Sequence, residues 1–504
     1  MSGSEYDHLF EARSPGADLK KRAIKGAGFT ISSRTFGYAV QTVGTIVMAR
    51  LLSPEDFGLA AMVMSFLLIF QNFGIYGIND VIIQRQEIGH DQVSRLFWLN
   101  ALIMAGLTSL FAVLSPVIAW FYGEPQLKTL SIVFASAIFF EGLATVHVAI
   151  LARTMAFSRT SLIYSIGAVS STALGILAAS QGFGYWSLAI RRISLAAVAA
   201  VCAWGFCKWR PSLSPRKDPV SSMVKFALHA YAYFIMDYFR KNLDKILVGR
   251  FFGKAVLGHY DRAYHLSSLL PNELTHSLSS VVVSALSRMR DDPDRFRSFY
   301  AKAVSMLAFL SFPGSVLLTL LGREIILLLI GPQWHEAGRL FTAMGPSIGL
   351  VVVYYTNNWL HISLGRADRL FKWSIYAFAA SVVFYSAGTA VSSIGVAVAY
   401  SALFYVLLIP ALSYAGRPAN LGASFYLALL WKYWLAAFGA GLAYYAIFHV
   451  VGPSAAFYGQ LSGAIRILLG AVAYAVLYLG LIVSLFRGLK PFKLLLSISK
   501  DMVS

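Results

Sequence analysis

Five charged residues stand within nine positions of a segment that otherwise reads as a membrane-spanning helix. The segment is FIMDYFRKNLDKILVGRFF; the five residues are Asp237, Arg240, Lys241, Asp244 and Lys245, and Arg250 follows them. At about 100° per residue, these five side chains lie within an arc of about 140°. Charges at membrane depth are costly unless they face a partner or a wet cavity. The segment therefore predicts a polar surface inside the membrane.

Two interpretations of this cluster stay open. Asp237 with Lys241, and Arg240 with Asp244, are i,i+4 pairs, so the first interpretation is an ion-pair ladder that fixes the helix against a neighbour. In the second, the charges line a wet cavity, because Lys245 and Arg34 have no obvious acid one helical turn away to pair with. A basic cavity suits an anionic ligand, and the planar guanidinium of Arg suits phosphate.

Polar residues at helical spacing extend the candidate site to three more helices. They fall on the first and second predicted spans and on the eighth, which follows the charged segment. The candidate cavity residues are Arg34, Gln41, Asn72, Asn79, Arg240, Lys241, Lys245, Asn272 and His276. The candidate ion-coupling acids are Asp237, Asp244 and Glu273.

The composition identifies the kind of protein that must position these residues. The chain has 504 residues, of which 58% are hydrophobic and only 13% are charged. Apolar runs of about 20 residues, long enough to cross a bilayer as helices, recur along nearly the whole length. We predict an all-α polytopic membrane protein with about fourteen spans, at 24–50, 57–83, 96–122, 128–151, 161–181, 184–207, 220–250, 256–286, 299–331, 337–363, 370–391, 394–415, 424–450 and 464–486.

The placement of Lys and Arg predicts the orientation. With the N-terminus inside, inner segments hold 26 of the 42 basic residues and outer segments hold eight. This bias predicts that both termini are cytoplasmic. The inner loops thus account for most of the net charge of +19, and no nucleic-acid partner is needed to explain it. No loop is long enough for a catalytic domain, and no metal-ligand, cofactor or nucleophile motif is present, so we expect no enzyme activity, metal or cofactor.

An internal repeat predicts two similar halves. ARLLSPEDFG ends at Gly58 and GRFFGKAVLG ends at Gly258, so Arg50 aligns with Arg250 at an offset of 200. These four residues are the candidate outer gate. A parallel repeat of six helices each places a substrate site between the halves, around a central cavity. The predicted domains are an N-terminal cytoplasmic tail (1–23), an N-lobe (24–207), a linker (208–219), a C-lobe (220–415), two additional helices (424–486) and a cytoplasmic tail (487–504).

Two adjacent arginines within the sixth span, Arg191 and Arg192, do not fit one narrow helix face. Adjacent side chains on a helix point about 100° apart. Either one of the two faces the cavity, or the sixth span begins later than residue 184.

Several segments resemble the polysaccharide transporter family of lipid-linked oligosaccharide flippases, within the multidrug/oligosaccharidyl-lipid/polysaccharide exporter superfamily. They are ARLLSPEDFGLAAM, GINDVIIQRQ, FWLNALIMAG and NLDKILVGRFFGKAVLGHYDRAYHL. The subtype resembled is the colanic-acid and exopolysaccharide translocase. The similarity runs from about residue 20 to 415. Arg34 lies where relatives often carry a cavity cation, and Asp244, Gly258 and Tyr260 fit the family's turn; the paired arginines depart from its pattern.

The resemblance implies two six-helix lobes that alternate between inner and outer openings. The implied function is translocation of polyprenyl-diphosphate-linked oligosaccharides, with undecaprenyl diphosphate as the bacterial carrier, for export of exopolysaccharide or lipopolysaccharide. It implies a bacterial inner-membrane location, with membrane lipids, a polysaccharide polymerase and export proteins as partners. Three alternatives remain. The first is a multidrug/cation antiporter, whose cavity should be acidic or apolar. The second is a polysaccharide polymerase or ligase, which needs a large outer loop, and the third is an assembly scaffold.

Overall fold

The computed structural model describes the backbone of residues 17–75, 79, 82–83, 88–213, 221–450, 458–459, 461–489 and 491. Side chains are described over the same ranges except at 17–31, 34, 73–75, 221–237, 276–277 and 280. Three candidate residues, Arg34, Asp237 and His276, therefore have side chains outside the described set.

The first part of the chain is a series of long helices. They are α1 (Ala17–Leu51), α2 (Pro54–Ile75), α3 (His90–Tyr122), α4 (Gln126–Arg153), α5 (Phe157–Ser180), α6 (Trp186–Cys207) and α7 (Ser221–Arg288). Helix α7 is broken at Gly253, whose φ of 81° is outside the helical region and is readily adopted only by glycine. We call its two parts α7a (221–252) and α7b (254–288).

The rest of the chain continues in the same manner. Its helices are α8 (Pro293–Ile330), α9 (His335–Tyr354), α10 (Thr356–Ser363), α11 (Ala367–Val391), α12 (Ser393–Gly416), α13 (Ala423–Tyr445) and α14 (Gly463–Phe486). The start of α8 follows from local sequence: Asp292 is the N-cap and accepts a hydrogen bond from the Arg295 backbone N–H at 3.1 Å, with Pro293 in the first turn.

Each of these helices overlaps a predicted span, and residues 76–78 and 80–81 of the second predicted span lie outside the described residues. The seventh and eighth spans are α7a and α7b, and the tenth is divided into α9 and α10 at Tyr355. By length and composition, eleven helices within the described residues can cross a membrane. Helix α1 and both parts of α7 are not among them, and α7a holds the cluster of Arg240, Lys241, Asp244 and Lys245.

The chain forms two compact units, one ending at Gly258 and the other beginning at His259. In the first unit α4 packs against α2, α3 and α6, and α5 packs against α1 and α6. Helix α7a joins this unit through Tyr238, whose hydroxyl donates to the backbone carbonyls of Met64 and Ser65 at 3.2 and 3.1 Å. In the second unit α8 packs against α9, α13 and α14, and α12 packs against α9 and α11.

Candidate functional site

A polar cavity of about 660 Å³ lies within the first unit. Helices α1, α4, α5 and α6 form its walls, together with Asn79. Its polar lining consists of Ser33, Tyr38, Gln41, Asn79, Glu141, Thr145, Thr160, Ser161, Tyr164 and Arg192. Among these described lining residues, Arg192 is the one cation and Glu141 the one acid. The cavity thus combines hydroxyl and amide groups with one buried ion pair.

Arg192 and Glu141 form the charged centre of this cavity. The Arg192 Nη2 atom lies 2.7 Å from Glu141 Oε1 and 2.6 Å from Gln71 Oε1. Each charged side chain keeps 21% of its surface accessible. Arg192 Nε and Gln71 Nε2 are buried and make no hydrogen bond to any described residue. The guanidinium is therefore held from one side and still has unused donors.

Arg191 points away from Arg192 and anchors α6 to α1. Its Nη1 donates to Thr45 Oγ1 at 2.9 Å, and its Nη2 donates to the Gln41 carbonyl at 3.0 Å. The Thr45 hydroxyl donates in turn to the same carbonyl at 2.8 Å. Since α6 begins at Trp186, close to the predicted start, a later start of the sixth span does not account for the arginine pair. In the structure Arg192 lines this cavity, whereas Arg191 is turned to α1.

The predicted cavity residues on the first two helices are only partly brought together. Gln41 and Asn79 both line the cavity, and the Asn79 Oδ1 atom is buried without a hydrogen bond to a described residue. Asn72 instead donates to the Leu68 carbonyl of its own helix at 2.7 Å. Hydrogen bonding to the preceding turn is a common fate of a polar side chain within a helix.

The charged cluster on α7a does not share one environment. Asp244 is fully buried, whereas Lys241 is exposed and Arg240 and Lys245 are half-buried. Each of these four has an electrostatic or hydrogen-bonding interaction. On α7b, Asn272 is half-buried and Glu273 is exposed. The roles assigned to these residues from sequence remain predictions.

The two repeated turns meet at their glycines. A methyl group on Gly58 would lie 1.8 Å from the Lys254 carbonyl oxygen, and one on Gly258 would lie 1.8 Å from the Pro54 carbonyl oxygen. Only glycine permits such an approach of two backbones. We call the contact between residues 53–58 and 253–258 the turn–turn contact.

Charged side chains surround the turn–turn contact. Lys254 Nζ lies 3.2 Å from Glu124 Oε2 and 3.6 Å from Glu55 Oε2. The hydrogen bond to Glu124 is the main cause that raises the pKa of Lys254 above its ordinary value. The Arg250 guanidinium lies 5.9 Å from the centre of the Phe121 ring, within cation–π range. Arg50, its counterpart in the repeat, is exposed at the end of α1.

A capping box starts α2 within this contact. The Ser53 hydroxyl accepts from the Asp56 N–H at 3.2 Å, while Asp56 Oδ2 accepts from the Ser53 N–H at 2.9 Å. Such reciprocal pairing satisfies two backbone donors at a helix start. Pro54, in the first turn of α2, has no N–H to satisfy.

A second cavity, of about 280 Å³, lies in the second unit and is almost entirely apolar. Its walls come from α8, α9, α12 and α13, and include Phe312, Leu350, Trp434 and Phe438. It has no charged lining residue. For binding a polar or charged ligand, the cavity in the first unit is therefore the better candidate.

Several residues of the site were not assigned from sequence. Glu141, Gln71, Glu124 and Lys254 carry no local motif, since their partners are between 51 and 199 positions away. One signal was present for Glu141, because an acid inside an apolar span is by default a functional candidate.

The fold and the cavity define a polytopic helical membrane protein with a charged centre among its helices. Residues 47–339, more than half of the chain, match the family described as "Polysaccharide biosynthesis protein". The chain belongs to this family, and the resemblance seen in the sequence is confirmed.

Two curated relatives illustrate the similarity. The "Lipopolysaccharide biosynthesis protein WzxC" of Escherichia coli (strain K12) is 23% identical over 445 residues, which are 82% of this chain and 86% of the relative. The "Succinoglycan biosynthesis transport protein ExoT" of Rhizobium meliloti (strain 1021) is 23% identical over 359 residues, which are 70% of this chain and 72% of the relative.

Solved structures show the same fold. A lipid II flippase, MurJ, in an inward closed conformation matches with a TM-score of 0.71 at 16% identity, over 92% of this chain and 99% of that one. An inward-facing multidrug resistance transporter of the MATE family matches with a TM-score of 0.61 at 11% identity, over 78% and 98% of the two chains. The predicted fold class, an all-α polytopic membrane protein, is confirmed.

Proposed function

We propose that this protein is a flippase that carries polyprenyl-diphosphate-linked oligosaccharide units across the bacterial cytoplasmic membrane, with both termini in the cytoplasm. The names of the relatives support this substrate class, since they refer to lipopolysaccharide biosynthesis and succinoglycan transport. The structural likeness to a lipid II flippase supports the fold needed for it. The products would serve export of exopolysaccharide or lipopolysaccharide, and the proposal includes no catalytic step.

The observation that carries the proposal is the polar cavity with Arg192 inside a bundle of apolar helices. Oligosaccharides are rich in hydroxyl groups, and Ser33, Gln41, Asn79 and Thr160 supply matching donors and acceptors. A guanidinium pairs with phosphate through parallel hydrogen bonds. The polyprenyl tail needs no polar partner and stays in the bilayer.

The proposed mechanism is alternating access. The substrate is loaded at the cytoplasmic side, enclosed, and released at the outer side. The turn–turn contact, with Gly58 against Lys254 and Gly258 against Pro54, would close the outer side during loading. Arg34, Arg240, Lys241 and Lys245 remain the proposed additional cations for the diphosphate or for acidic sugars, and Asp237, Asp244 and Glu273 the proposed coupling acids.

The proposal is tested by locating the lipid-linked oligosaccharide in the two leaflets of spheroplasts. An impermeant lectin or periodate-type probe labels sugars on the outer leaflet only. We expect labelling to vanish in cells without the protein while total lipid-linked sugar accumulates. Arg192→Ala, Arg34→Ala and Lys245→Ala should each reduce labelling, whereas Arg339→Ala, which removes an exposed pair with Glu336, should not.

Persistence of outer labelling without this protein, in a strain lacking other flippases, would contradict the proposal. Loss of labelling without accumulation of lipid-linked sugar would also contradict it, because the defect would then lie in synthesis. An export defect for cationic drugs in the same strain would instead favour the multidrug antiporter.

A further inference from the structure

The ion pair between Glu141 and Arg192 lies at a place where each side chain can exchange its partner. Glu141 lies twelve residues before the end of α4, or about 18 Å along the helix axis, so the pair is deep within the span. Both side chains nevertheless keep 21% of their surface accessible, and both line the cavity. Both charged groups thus face a cavity of about 660 Å³ from within the span.

The hydrogen bonds of Arg192 are incomplete in a specific way. Both of its bonds, to Glu141 and to Gln71, use the Nη2 atom. The Nε atom is buried and makes no hydrogen bond to any described residue, and neither does Gln71 Nε2. A guanidinium has five donors in a fixed planar fork. Each edge of the fork that holds a bidentate anion includes Nη2, so such an anion binds only when Nη2 is released from Glu141 or Gln71.

We propose that Glu141 is a positioning residue that controls Arg192 through its own protonation. When Glu141 is charged, its carboxylate and Gln71 hold Arg192. When a proton from the cavity binds a Glu141 carboxylate oxygen, the charge attraction ends and the guanidinium turns to a phosphate or another anion in the cavity. One proton is taken up for each anion bound, and anion release returns it. This inference rests on the proposed function, for which it names the anion site and its control.

The surroundings of Glu141 leave Arg192 as its dominant charged neighbour among the described side chains. From α6, Arg191 is turned to Thr45 on α1. From α2 the neighbour is the uncharged Gln71, and from α3 it is Asn100, which donates to the Gly142 carbonyl at 2.8 Å. From α1 and α5 the titratable lining groups are the phenols of Tyr38 and Tyr164. On α4 itself, His147 lies six residues further, or about 9 Å along the axis.

The experiment measures anion binding to the full-length purified protein as a function of pH. The probe is geranyl diphosphate, a short soluble prenyl diphosphate, titrated by calorimetry between pH 5 and 8 in two buffers of different ionisation enthalpy. The probe itself titrates near pH 6, as phosphate monoesters do. The quantity of interest is therefore the difference between the natural protein and Glu141→Gln, in which the probe's own ionisation cancels.

Four results are expected. Relative to Glu141→Gln, the natural protein should bind about tenfold more weakly for each pH unit above the point where Glu141 loses its proton. It should take up about one additional proton per probe bound, by the linkage between proton and ligand binding. Arg192→Gln, alone or together with Glu141→Gln, should bind weakly at every pH. Glu336→Gln, at an exposed pair in the second unit, should behave like the natural protein.

The outcomes separate this inference from the proposed function. An unchanged pH dependence and proton uptake in Glu141→Gln, with binding preserved, would overturn the role of Glu141 and leave the flippase intact. No binding in any variant, together with unaltered leaflet labelling in cells, would overturn both. Should Glu141→Gln fail to purify as a monodisperse protein, Glu141→Asp provides the test, since a shorter carboxylate that pairs less well should shift the pH dependence to higher pH.

Discussion

Gly58 and Gly258 make the same backbone contact in opposite directions. Gly58 lies against the carbonyl of Lys254, and Gly258 lies against the carbonyl of Pro54. The two glycines are 200 positions apart, and so are the two residues whose carbonyls they contact. Contacts in which residue i meets j and j meets i are those of a two-fold interface. The repeat seen in the sequence is thus expressed in a local two-fold contact between its own two turns.

The first prediction concerns this contact. Gly58→Ala should force the two turns apart, because the obstructing atom is a backbone oxygen that cannot rotate away. Overpacking of this kind costs about 1–3 kcal/mol. The measurement is the rate of maleimide labelling of a cysteine introduced by Leu257→Cys, in a protein whose two native cysteines are replaced. Leu257 is fully buried beside the contact, so labelling requires the contact to open. We expect the labelling rate to rise several-fold in Gly58→Ala.

The control for this measurement is Gly106→Ala. Gly106 lies within α3, and a methyl group there meets no atom within 4 Å. This variant should leave the labelling rate unchanged and slightly favour helix, since alanine has the higher helix propensity. Equal labelling in Gly58→Ala and Gly106→Ala would mean that the turn–turn contact tolerates a side chain.

The second prediction concerns Lys254. Its interactions with Glu124 and Glu55 are partly exposed, so Lys254→Gln should lower the free energy of unfolding by only about 0.2–1 kcal/mol. Lys254→Glu alone should lower the free energy of unfolding more than Lys254→Gln does. The double variant Lys254→Glu with Glu124→Lys, which exchanges the two charges, should recover most of that loss. Thermal unfolding in detergent at low and high salt provides the measurement, and the difference should shrink at high salt.

The raised pKa of Lys254 gives this pair a defined pH dependence. A base whose pKa is higher in the folded than in the unfolded state contributes stability below the unfolded value. That contribution is lost as the pH rises through the folded pKa, above the ordinary value of 10.5. Between pH 6 and 9 the effect of Lys254→Gln should therefore be constant; a marked change within that range would contradict the assignment.

The third prediction concerns the packing of α1 on α5. A methyl group on Gly44 would lie 2.2 Å from the Thr172 Cγ2 methyl. Gly44→Ala should therefore destabilise the protein by about 1–3 kcal/mol. Thr172→Ser removes the obstructing methyl and keeps the hydroxyl, so the double variant should be more stable than Gly44→Ala alone. Additive losses, measured by chemical unfolding, would contradict this contact.

The sequence predicted the helices well because the signal is physical and local. A run of about 20 apolar residues has to span the membrane as a helix, since no backbone polar group can be left unpaired in lipid. The repeat was also visible, because Arg50, Gly58 and their counterparts stand at a constant offset. What the offset did not reveal is that the two turns contact each other.

The directions of individual side chains could not be predicted from the sequence. Arg191 and Arg192 are adjacent, and only the neighbouring helices decide that one binds the Gln41 carbonyl and the other Glu141. Asn72 and Asn79 share a predicted face, yet Asn72 bonds to its own helix and only Asn79 lines the cavity. Periodicity predicts a face of a helix, whereas hydrogen-bond competition decides what each side chain on it contacts.

The fourth prediction concerns the anchor between α6 and α1. Arg191→Met removes both donors to α1, and Thr45→Val removes one acceptor while preserving shape. If the two side chains act as a unit, the double variant should lose less stability than the sum of the single losses, with a coupling of about 0.5–3 kcal/mol. Arg191→Lys should recover only part of the loss, because an ammonium lacks the planar fork that reaches Thr45 Oγ1 and the Gln41 carbonyl together. As a control, the stability losses of Arg192→Met and Thr45→Val should be additive, since Arg192 bonds to Gln71 and Glu141 instead. A coupling energy of equal size in both cycles would contradict the assignment of the anchor to Arg191 and Thr45.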